Sequence, residues 1–479
     1  MDFFGRTELL RQLQDLWGKR VSSLVTCRGR RRIGKSTLVE RFASMSKARF
    51  IKLEGLRPDA GTTKEDELDT FASQLSAQTE AENSRPADWL RAFIRLSREI
   101  RPREKTVVLL DEISWMAHGD STFAPTLKVA WDNYLKKNDR LILVVCGSVS
   151  TWIKENIVQS GAFYGRRSLD VVVPELPLRE CVKFWGRAAG RIAPREIADV
   201  LSVTGGVPRY LEEINPLLSA TENIRKMCFV PKAPLRTDFD EMFSDVISRQ
   251  PKFSAKILRA LVDGPRSVSE IAAALGVGKG GNITNAVEQL EEAGMVSSDA
   301  GRNPETGAEV RERRFRLCDN YSRFFLKYVE TEKLSIDTKS FEFGGLDRFA
   351  GWNSILGLQF ENLVLNNWRD LARLLHLDGA IIKSAAPYVK RGSRTDGNGG
   401  CQIDLLIQAK MSMFVVEIKR QVHIGREIID EMREKCKRLR KPHDVSLRTA
   451  LVYEGELEPS VEADGYFDAI VPFSQLLFG

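Results

Sequence analysis

"SLVTCRGRRRIGKSTLVERF", residues 23–42, decides how the first half of the chain folds. A short apolar run ends at Gly29, four residues intervene, and Gly34, Lys35 and Ser36 open a stretch whose Leu38, Val39 and Phe42 recur at helical spacing. Strand, glycine turn and helix in that order are the pattern of a phosphate-binding loop. Gly29 and Gly34 allow backbone N–H groups to turn inward around phosphate oxygens, and the helix N-terminus adds positive potential. Lys35 is expected to reach the terminal phosphates of ATP, the Ser36 hydroxyl to ligate magnesium, and Thr37 to complete the binding set.

Two more apolar runs lead to polar residues. "TVVLLDEIS", residues 106–114, ends a strand in Asp111 and Glu112. An acidic pair at the end of a parallel strand suits the metal and water side of a phosphate site, with Asp111 for Mg2+ and Glu112 to polarise the attacking water. "RLILVVCGS", residues 140–148, delivers Ser148 to the same edge, where it would sense the terminal phosphate.

Composition sets the wider limits. The chain has 479 residues, enough for about three domains, and its 43% hydrophobic and 29% charged content is that of a globular protein. Lys and Arg number 72 against 65 for Asp and Glu, a surplus of seven that favours an anionic partner. The seven cysteines are dispersed with no CxxC pair, so neither a disulfide framework nor a zinc ribbon is expected, and a reducing cytoplasm fits best. The beginning "MDFFGRTELL" lacks an export signal, and "LILVVC" at 141–146 is too short to span a bilayer, so no membrane association is expected. Four histidines make a multi-histidine metal centre a poor fit.

In order along the chain, "FFGRTELL", "GRRRIGKST", "LLDEIS", "VVCGS", "FYGRR" and "TGGVPRYL" make residues 1–230 resemble AAA+ ATPases of the archaeal-type, STAND-related group. The resemblance implies that Gly5 and Arg6 border the adenine and that the Gly206–Pro208 turn of a helical lid packs near the base. Locally, Gly206 and Pro208 read equally as a helix stop followed by a proline-assisted start. Arg166, beside Arg167, is a candidate arginine finger, or else part of a solvated basic pair. A finger acting between subunits would require a homo-oligomer.

After the prolines at 231 and 234 the pattern changes. Residues 253–296 suggest three helices, the second starting near Ser267 and the third running from about Asn282 to Glu292. "SSDAGRNPETGAEVRERRFRLCD", residues 297–319, reads as a hairpin turning at Asn303–Gly307. Three helices and a ribbon look like a winged helix-turn-helix, whose third helix would enter a DNA groove. Arg302, Arg311, Arg313, Arg314 and Arg316 of the wing would meet phosphates.

The last segment carries a second acidic constellation. "WNSILGLQFENLVLNNWRDLARLLHL", residues 352–377, is helical, with Glu361 on the face of Val364, Leu365 and Trp368. "GCQIDLLIQAKMSMFVVEIKR", residues 400–420, reads as a hairpin with Asp404 in one strand and Glu417 and Lys419, two apart and so on one side, in the other. Asp404 and Glu417 can converge on a hard divalent ion while Lys419 orients or activates a water. Glu361, Asp404, Glu417 and Lys419 in helix–strand–strand order resemble the PD-(D/E)XK nuclease superfamily over residues 345–475, although Gln402 and Ile403, not a proline, precede Asp404. The resemblance implies that Glu361 joins Asp404 and Glu417 as a metal ligand. The basic helix "REIIDEMREKCKRLRK", residues 426–441, and the tract "KRGSRTDGNGGC", residues 390–401, would either be solvated or flank a nucleic-acid backbone.

The expected architecture is therefore α/β and multidomain: a P-loop ATPase core at 1–172, a helical lid at 173–235, a winged helix at 245–330 and a PD-(D/E)XK-like mixed-sheet domain at 340–479. The expected activity is that of an ATP-hydrolysing DNA-processing protein with a magnesium-dependent nuclease. The alternative is a nucleotide-gated switch or scaffold whose C-terminal fold only binds a partner or nucleic acid.

Overall fold

A computed structural model describes residues 3–58, 61–148, 150–246, 251–278, 280–310, 312–390 and 400–479. The chain divides into two compact units. One runs to Glu175 and takes in the segment that starts at Met242; the other is made of Leu176–Glu241 and the remainder.

The first unit is built on β1 (Ser23–Arg28), β2 (Arg49–Glu54), β3 (Thr106–Asp111), β4 (Leu141–Gly147) and β5 (Arg167–Val172). They form one parallel sheet in the order β2-β3-β4-β1-β5. β3 and β4 are buried along their whole length. Parallel strands need crossovers that cover both faces, which is why these strands are continuous apolar runs rather than alternating ones. Leu24, Ile51, Val108 and Leu143 pack with Phe71, Trp89, Phe93 and Phe123, the Trp89 and Phe123 rings meeting edge to face at 4.8 Å. The Lys64–Gln78 helix begins at a Thr63–Asp66 capping box, and Asp88 caps the Trp89–Glu99 helix through the Arg91 N–H. β4 lies between β1 and β3, so the phosphate loop and the acidic turn flank Ser148 at the C-terminal edge.

The second unit starts with short helices, of which Pro194–Thr204 is the most deeply buried, with Ile197, Ala198, Leu201, Val203 and Thr204 all inaccessible. Helices Pro251–Ala260, Val268–Leu275 and Gly281–Glu292 follow, with β6 (Arg266–Ser267), β7 (Val296–Ser298) and β8 (Arg314–Leu317) in a small antiparallel sheet ordered β6-β8-β7. Ser267 and Glu270 form the capping box that starts the second of these helices. An outlying bridge, Arg302 to Glu309, closes the expected hairpin.

A separate mixed sheet ends the chain: β9 (Ile382–Lys390), β10 (Cys401–Ala409), β11 (Ser412–Ile424), β12 (Ser446–Leu457) and β13 (Ala469–Pro472). The order is β13-β12-β11-β10-β9, with β9–β10 and β10–β11 antiparallel and β11–β12 and β12–β13 parallel. The Glu427–Arg438 helix makes the crossover from β11 to β12 and packs Ile428 and Met432 onto Ile403, Leu406 and Val415.

Buried polar contacts tie this sheet to the rest of the second unit. From the Trp352–Asn366 helix, Gln359 Nε2 donates to Ser202 O at 2.8 Å and Asn320 O at 2.7 Å. Arg323, fully buried, donates to Gln359 Oε1 and Leu317 O at 3.1 and 2.8 Å. Arg420 of β11 bonds Asp199 and lies 3.4 Å from Glu454. Stretches that the sequence divides into lid, winged helix and mixed-sheet domain thus pack here as one body.

Candidate functional sites

Gly29, at φ +148°, sits where an added Cβ would lie 2.7 Å from Val173 O, so the turn after β1 admits no side chain. Gly34, at φ 84°, caps the Lys35–Met45 helix. Lys35 is buried and folds back into the loop, Nζ donating to Gly29 O at 3.1 Å and Arg30 O at 3.0 Å. Ser36 Oγ donates to Asp111 Oδ2 at 2.5 Å, and Thr37 is exposed. A hydroxyl and a carboxylate oxygen at one point are the hard donors that magnesium takes, so this end of the site fits the ion.

Glu112 adopts a left-handed backbone, φ 46°, and its Oε2 accepts from the N–H and hydroxyl of Ser148 at 3.0 and 2.9 Å. Ser148, expected to meet phosphate, thus orients the expected base. Gly5 and Arg6 both have positive φ, 69° and 63°, and the Arg6 guanidinium reaches Ile33 O of the loop at 3.2 Å. Arg166 is held by Asp132, its Nε donating to both carboxylate oxygens at 2.9 and 3.0 Å. Pro208 opens the Pro208–Leu211 turn of helix in the other unit, and Gly206 O accepts from Leu176 N at 2.7 Å.

In the second unit Asp404 and Glu417 lie on neighbouring antiparallel strands, next to the paired Leu405 and Val416. Asp404 Oδ2 accepts from Ile418 N at 2.9 Å. Burial, then repulsion from Glu417, raises the Asp404 carboxyl above the usual range. Burial, then Asp404, pushes Glu361 up to about 7 against the pull of Arg316 and Arg323. Glu417 is 1% exposed, and lysines take both its oxygens, Lys419 at 3.1 Å and Lys435 at 2.5 Å. Lys419 also reaches Glu431 at 3.1 Å. The acids are neighbours, but among the described residues no three His, Cys, Asp or Glu side chains are grouped to hold a metal ion.

Residues 3–214 match the family model for an ATPase domain predominantly from Archaea. The likeness is that of one segment, less than half of the chain, to an archaeal-type ATPase domain. No curated protein matches the chain. Among solved structures, a Walker-type ATPase of Pyrococcus abyssi is similar at 18% identity, covering 68% of this chain and 96% of its own, with a TM-score of 0.49. The Aeropyrum pernix ORC2 protein, in ADPNP and ADP complexes, gives 14%, 71%, 95% and 0.41. The Thermotoga maritima RuvB Holliday junction branch migration motor gives 16%, 64%, 92% and 0.32. Among the described residues of this chain, no helix is long and apolar enough to cross a membrane.

Beside the acidic turn at Asp111 and Glu112 stands a further cation. Lys52 of β2 lies 3.5 Å from Asp111, 3.4 Å from Glu40 and 3.7 Å from Glu54. Burial pulls its ammonium down, but the three carboxylates outweigh that and hold it above its ordinary range. Gly55 follows β2 so closely on the turn that a Cβ would come within 2.8 Å of Met116 N and 2.9 Å of Glu112 O.

The basic wing requires correction. Arg316 is buried, bonds Asn362 and lies 3.4 Å from Asp299, while Arg314 donates to Pro265 O at 2.6 Å and to Glu270 at 3.3 Å. These two serve internal pairing: two apart on β8, they share one face of its sheet. Arg302 and Arg313 remain at the surface, and Arg311 lies outside the described residues. Of the basic helix only Lys435 is engaged internally, while Arg433, Lys437, Arg438 and Arg440 are exposed. Lys435 serves Glu417, Arg433 covers the Tyr466 ring at 5.1 Å, and Arg438 donates to Gly400 O at 3.0 Å. Of the basic tract, residues 391–399 lie outside the described residues.

Proposed function

We propose that the chain is an ATP-hydrolysing, DNA-processing protein whose C-terminal domain cuts phosphodiesters with magnesium. In this proposal the chain would carry a core (1–172), a lid (173–235), a winged helix (245–330) and a PD-(D/E)XK-like domain (340–479). Supporting the first half are the loop and acid geometry together, above all the Ser36–Asp111 hydrogen bond of 2.5 Å. Lys35 would leave its own loop carbonyls for the terminal phosphates. Glu112, oriented by Ser148, would take a proton from the attacking water. Gly5 and Arg6 would contact the nucleotide. Arg166, released from Asp132, would serve a neighbouring subunit.

The observation that carries the nuclease reading is Glu417, a carboxylate 1% exposed with Lys419 at 3.1 Å and Asp404 on the next strand. Buried acids crowded together with a lysine are expected where a divalent ion or a developing charge is handled. Magnesium, when bound, would polarise the phosphodiester and supply hydroxide. Asp404 and Glu417, with Glu361 behind them, would hold it, and Lys419 would orient the water. The test is magnesium-dependent scission of DNA by the wild type and by Lys419→Ala, alongside ATP hydrolysis by Lys35→Ala. Loss of cutting in the first and of hydrolysis in the second is expected. Equal scission by Lys419→Ala removes the nuclease assignment.

A second reading is favoured by Lys435, which takes the Glu417 oxygen that an ion would need. The domain would then be a binding module switched by the nucleotide. ATP hydrolysis without scission under any divalent ion would select it.

A further inference from the structure

In a parallel sheet every strand begins at the same edge, so the loops that enter β1, β2, β3 and β4 lie together, at the opposite end of the strands from the phosphate loop. Those loops, residues 19–22, 47–49, 101–105 and 136–140, hold ten Lys and Arg against Glu104 and Asp139. The surplus is eight, where that of the whole chain is seven, so the net positive charge of the protein is gathered here. Hydrogen bonds join the loops. Arg49 N donates to Lys105 O at 2.8 Å, Asn138 Nδ2 to Arg101 O at 2.9 Å, and Ser22 Oγ to Lys136 O at 3.0 Å. The Lys105 ammonium stands over the Trp17 ring at 5.2 Å. The cations thus form one braced row, about 14 Å long at the usual spacing of neighbouring strands.

Some of this charge has a local use. The Lys35–Met45, Trp89–Glu99 and Phe123–Asn133 helices lead into three of these loops, and a helix C-terminus favours a cation. That accounts for one per helix, not for two or three per loop, whose mutual repulsion opposes folding until an anion offsets it. Arg101 has Glu80 at 3.7 Å and Lys136 has Asp132 at 3.3 Å. Arg20, Lys47, Arg103 and Lys137, one at the entry to each strand, are exposed, and among the described residues none has a carboxylate within ion-pair distance. Arg20, Lys47 and Arg103 hold left-handed backbone, φ 52°, 51° and 66°, where glycine is less strained. Cations kept in strained positions and left unpaired suit a partner that brings its own negative charge. Among the described residues of these loops Val21 is the one large apolar side chain left exposed, so a bilayer would gain little by burying them. A nucleic acid fits: a duplex carries one charge per about 1.7 Å of its axis, so several phosphates face a row of this length.

We propose that this edge of the first unit is a sequence-independent docking surface for the backbone of duplex DNA, standing apart from the C-terminal acids. The test is the anisotropy of a fluorescent duplex mixed with the full chain over a series of potassium chloride concentrations, with chelator present so that no scission intervenes. Arg20→Gln, Lys47→Gln, Arg103→Gln and Lys137→Gln in one chain should weaken binding about tenfold or more at low salt. The slope of log affinity against log salt should become shallower by about 3, since each phosphate contact contributes about 0.9. The control combines Lys226→Gln, Lys232→Gln, Lys339→Gln and Lys410→Gln, exposed cations of the other unit, with Lys232 and Lys339 in the same left-handed backbone. It should bind within about twofold of wild type, because it loses the same net charge without losing phosphate contacts. Retained ATP hydrolysis in both shows that the first unit is folded. Wild-type affinity and slope in the first variant, or an equal loss in the control, overturns the proposal. Tighter capture of the wild type by vesicles of anionic phospholipid than by duplex would give the surface to a membrane and overturn it as well. Duplex binding lost in the first variant, with no scission by the wild type under magnesium, leaves this proposal standing and removes only the nuclease reading. Scission by the wild type, with binding unchanged in the first variant, does the reverse.

Discussion

Lys435 Nζ lies 2.5 Å from Glu417 Oε2, a cation on a crossover helix paired with the most deeply buried acid of the mixed sheet. Lys419 holds the other oxygen. An acid taken out of water needs such partners, and removing one leaves charge uncompensated. Lys435→Met is expected to destabilise the metal-free chain by about 1–3 kcal/mol, less than the full loss of a buried pair because Lys419 remains. A divalent ion that binds at Glu417 should recover part of this by mass action. Denaturant unfolding with and without 5–10 mM magnesium, roughly the excess such linkage needs, checks both effects. A variant as stable as wild type would show that the lysine is not the acid's counter-charge.

Gly55 makes a sharper steric prediction. The two nearest atoms that an added Cβ would meet, Met116 N and Glu112 O, are backbone, and the third, the Trp115 Cβ at 3.0 Å, is fixed to it, so nothing can swing aside. Gly55→Ala must shift the turn that carries Asp111 and Glu112. The expected cost is about 1–3 kcal/mol of stability, with ATP hydrolysis reduced by tenfold or more because a displacement of a fraction of an ångström misdirects the acids. Steady-state hydrolysis and thermal unfolding measure the two. Wild-type turnover in the variant would refute the close approach.

What the sequence made legible follows from how local each signal is. The phosphate loop, the acidic strand end and the capping box at Ser267 are each written within about ten residues, and their chemistry depends on neighbours in the chain. Glu417 and Lys419 were readable for the same reason, through period two. Lys52 was not, because its importance comes from pairing β2 with β3, which only the sheet order creates. Lys435 could have been singled out. It falls three and seven residues after the buried Met432 and Ile428, so it shares their inward face, whereas Lys437 does not. The internal role of the wing arginines is not legible in the sequence, because a basic ribbon has the same pattern whether its faces are covered or open. Arg316 turned out to serve Asp299 and Asn362.

The charge balance at Lys52 bears on how tightly magnesium is held. Its ammonium competes with any cation approaching Asp111, and it stands on the strand beside the one that carries that acid. Lys52→Met removes the competitor, so the magnesium concentration giving half-maximal ATP hydrolysis should fall about two- to tenfold, a range set by one charge acting through partly solvated protein. The effect should shrink at high salt. A magnesium titration of hydrolysis at low and at high potassium chloride tests this. A rise in the magnesium requirement would mean that Lys52 instead holds Asp111 in its binding posture.

Glu67 gives the first unit a dependence on pH. It is buried in the Lys64–Gln78 helix, its Oε1 accepts from Leu56 N at 3.0 Å, and burial pushes its carboxyl from 4.5 up to about 7. The folded chain therefore keeps a proton here that the unfolded chain releases. The group's contribution to stability is fully present below about 4.5 and is lost as pH rises through about 7. Glu67→Gln keeps an acceptor for Leu56 and removes the titration, so its stability relative to wild type should rise across that window. At about 1.4 kcal/mol per pKa unit, discounted for the water that reaches the group, the gain is about 1–2 kcal/mol. Glu361 and Asp404 are raised as well, so only the difference between the two proteins, measured by urea unfolding at a series of pH values, isolates Glu67. Parallel pH profiles would show that the Glu67 carboxyl titrates alike in the folded and unfolded chains.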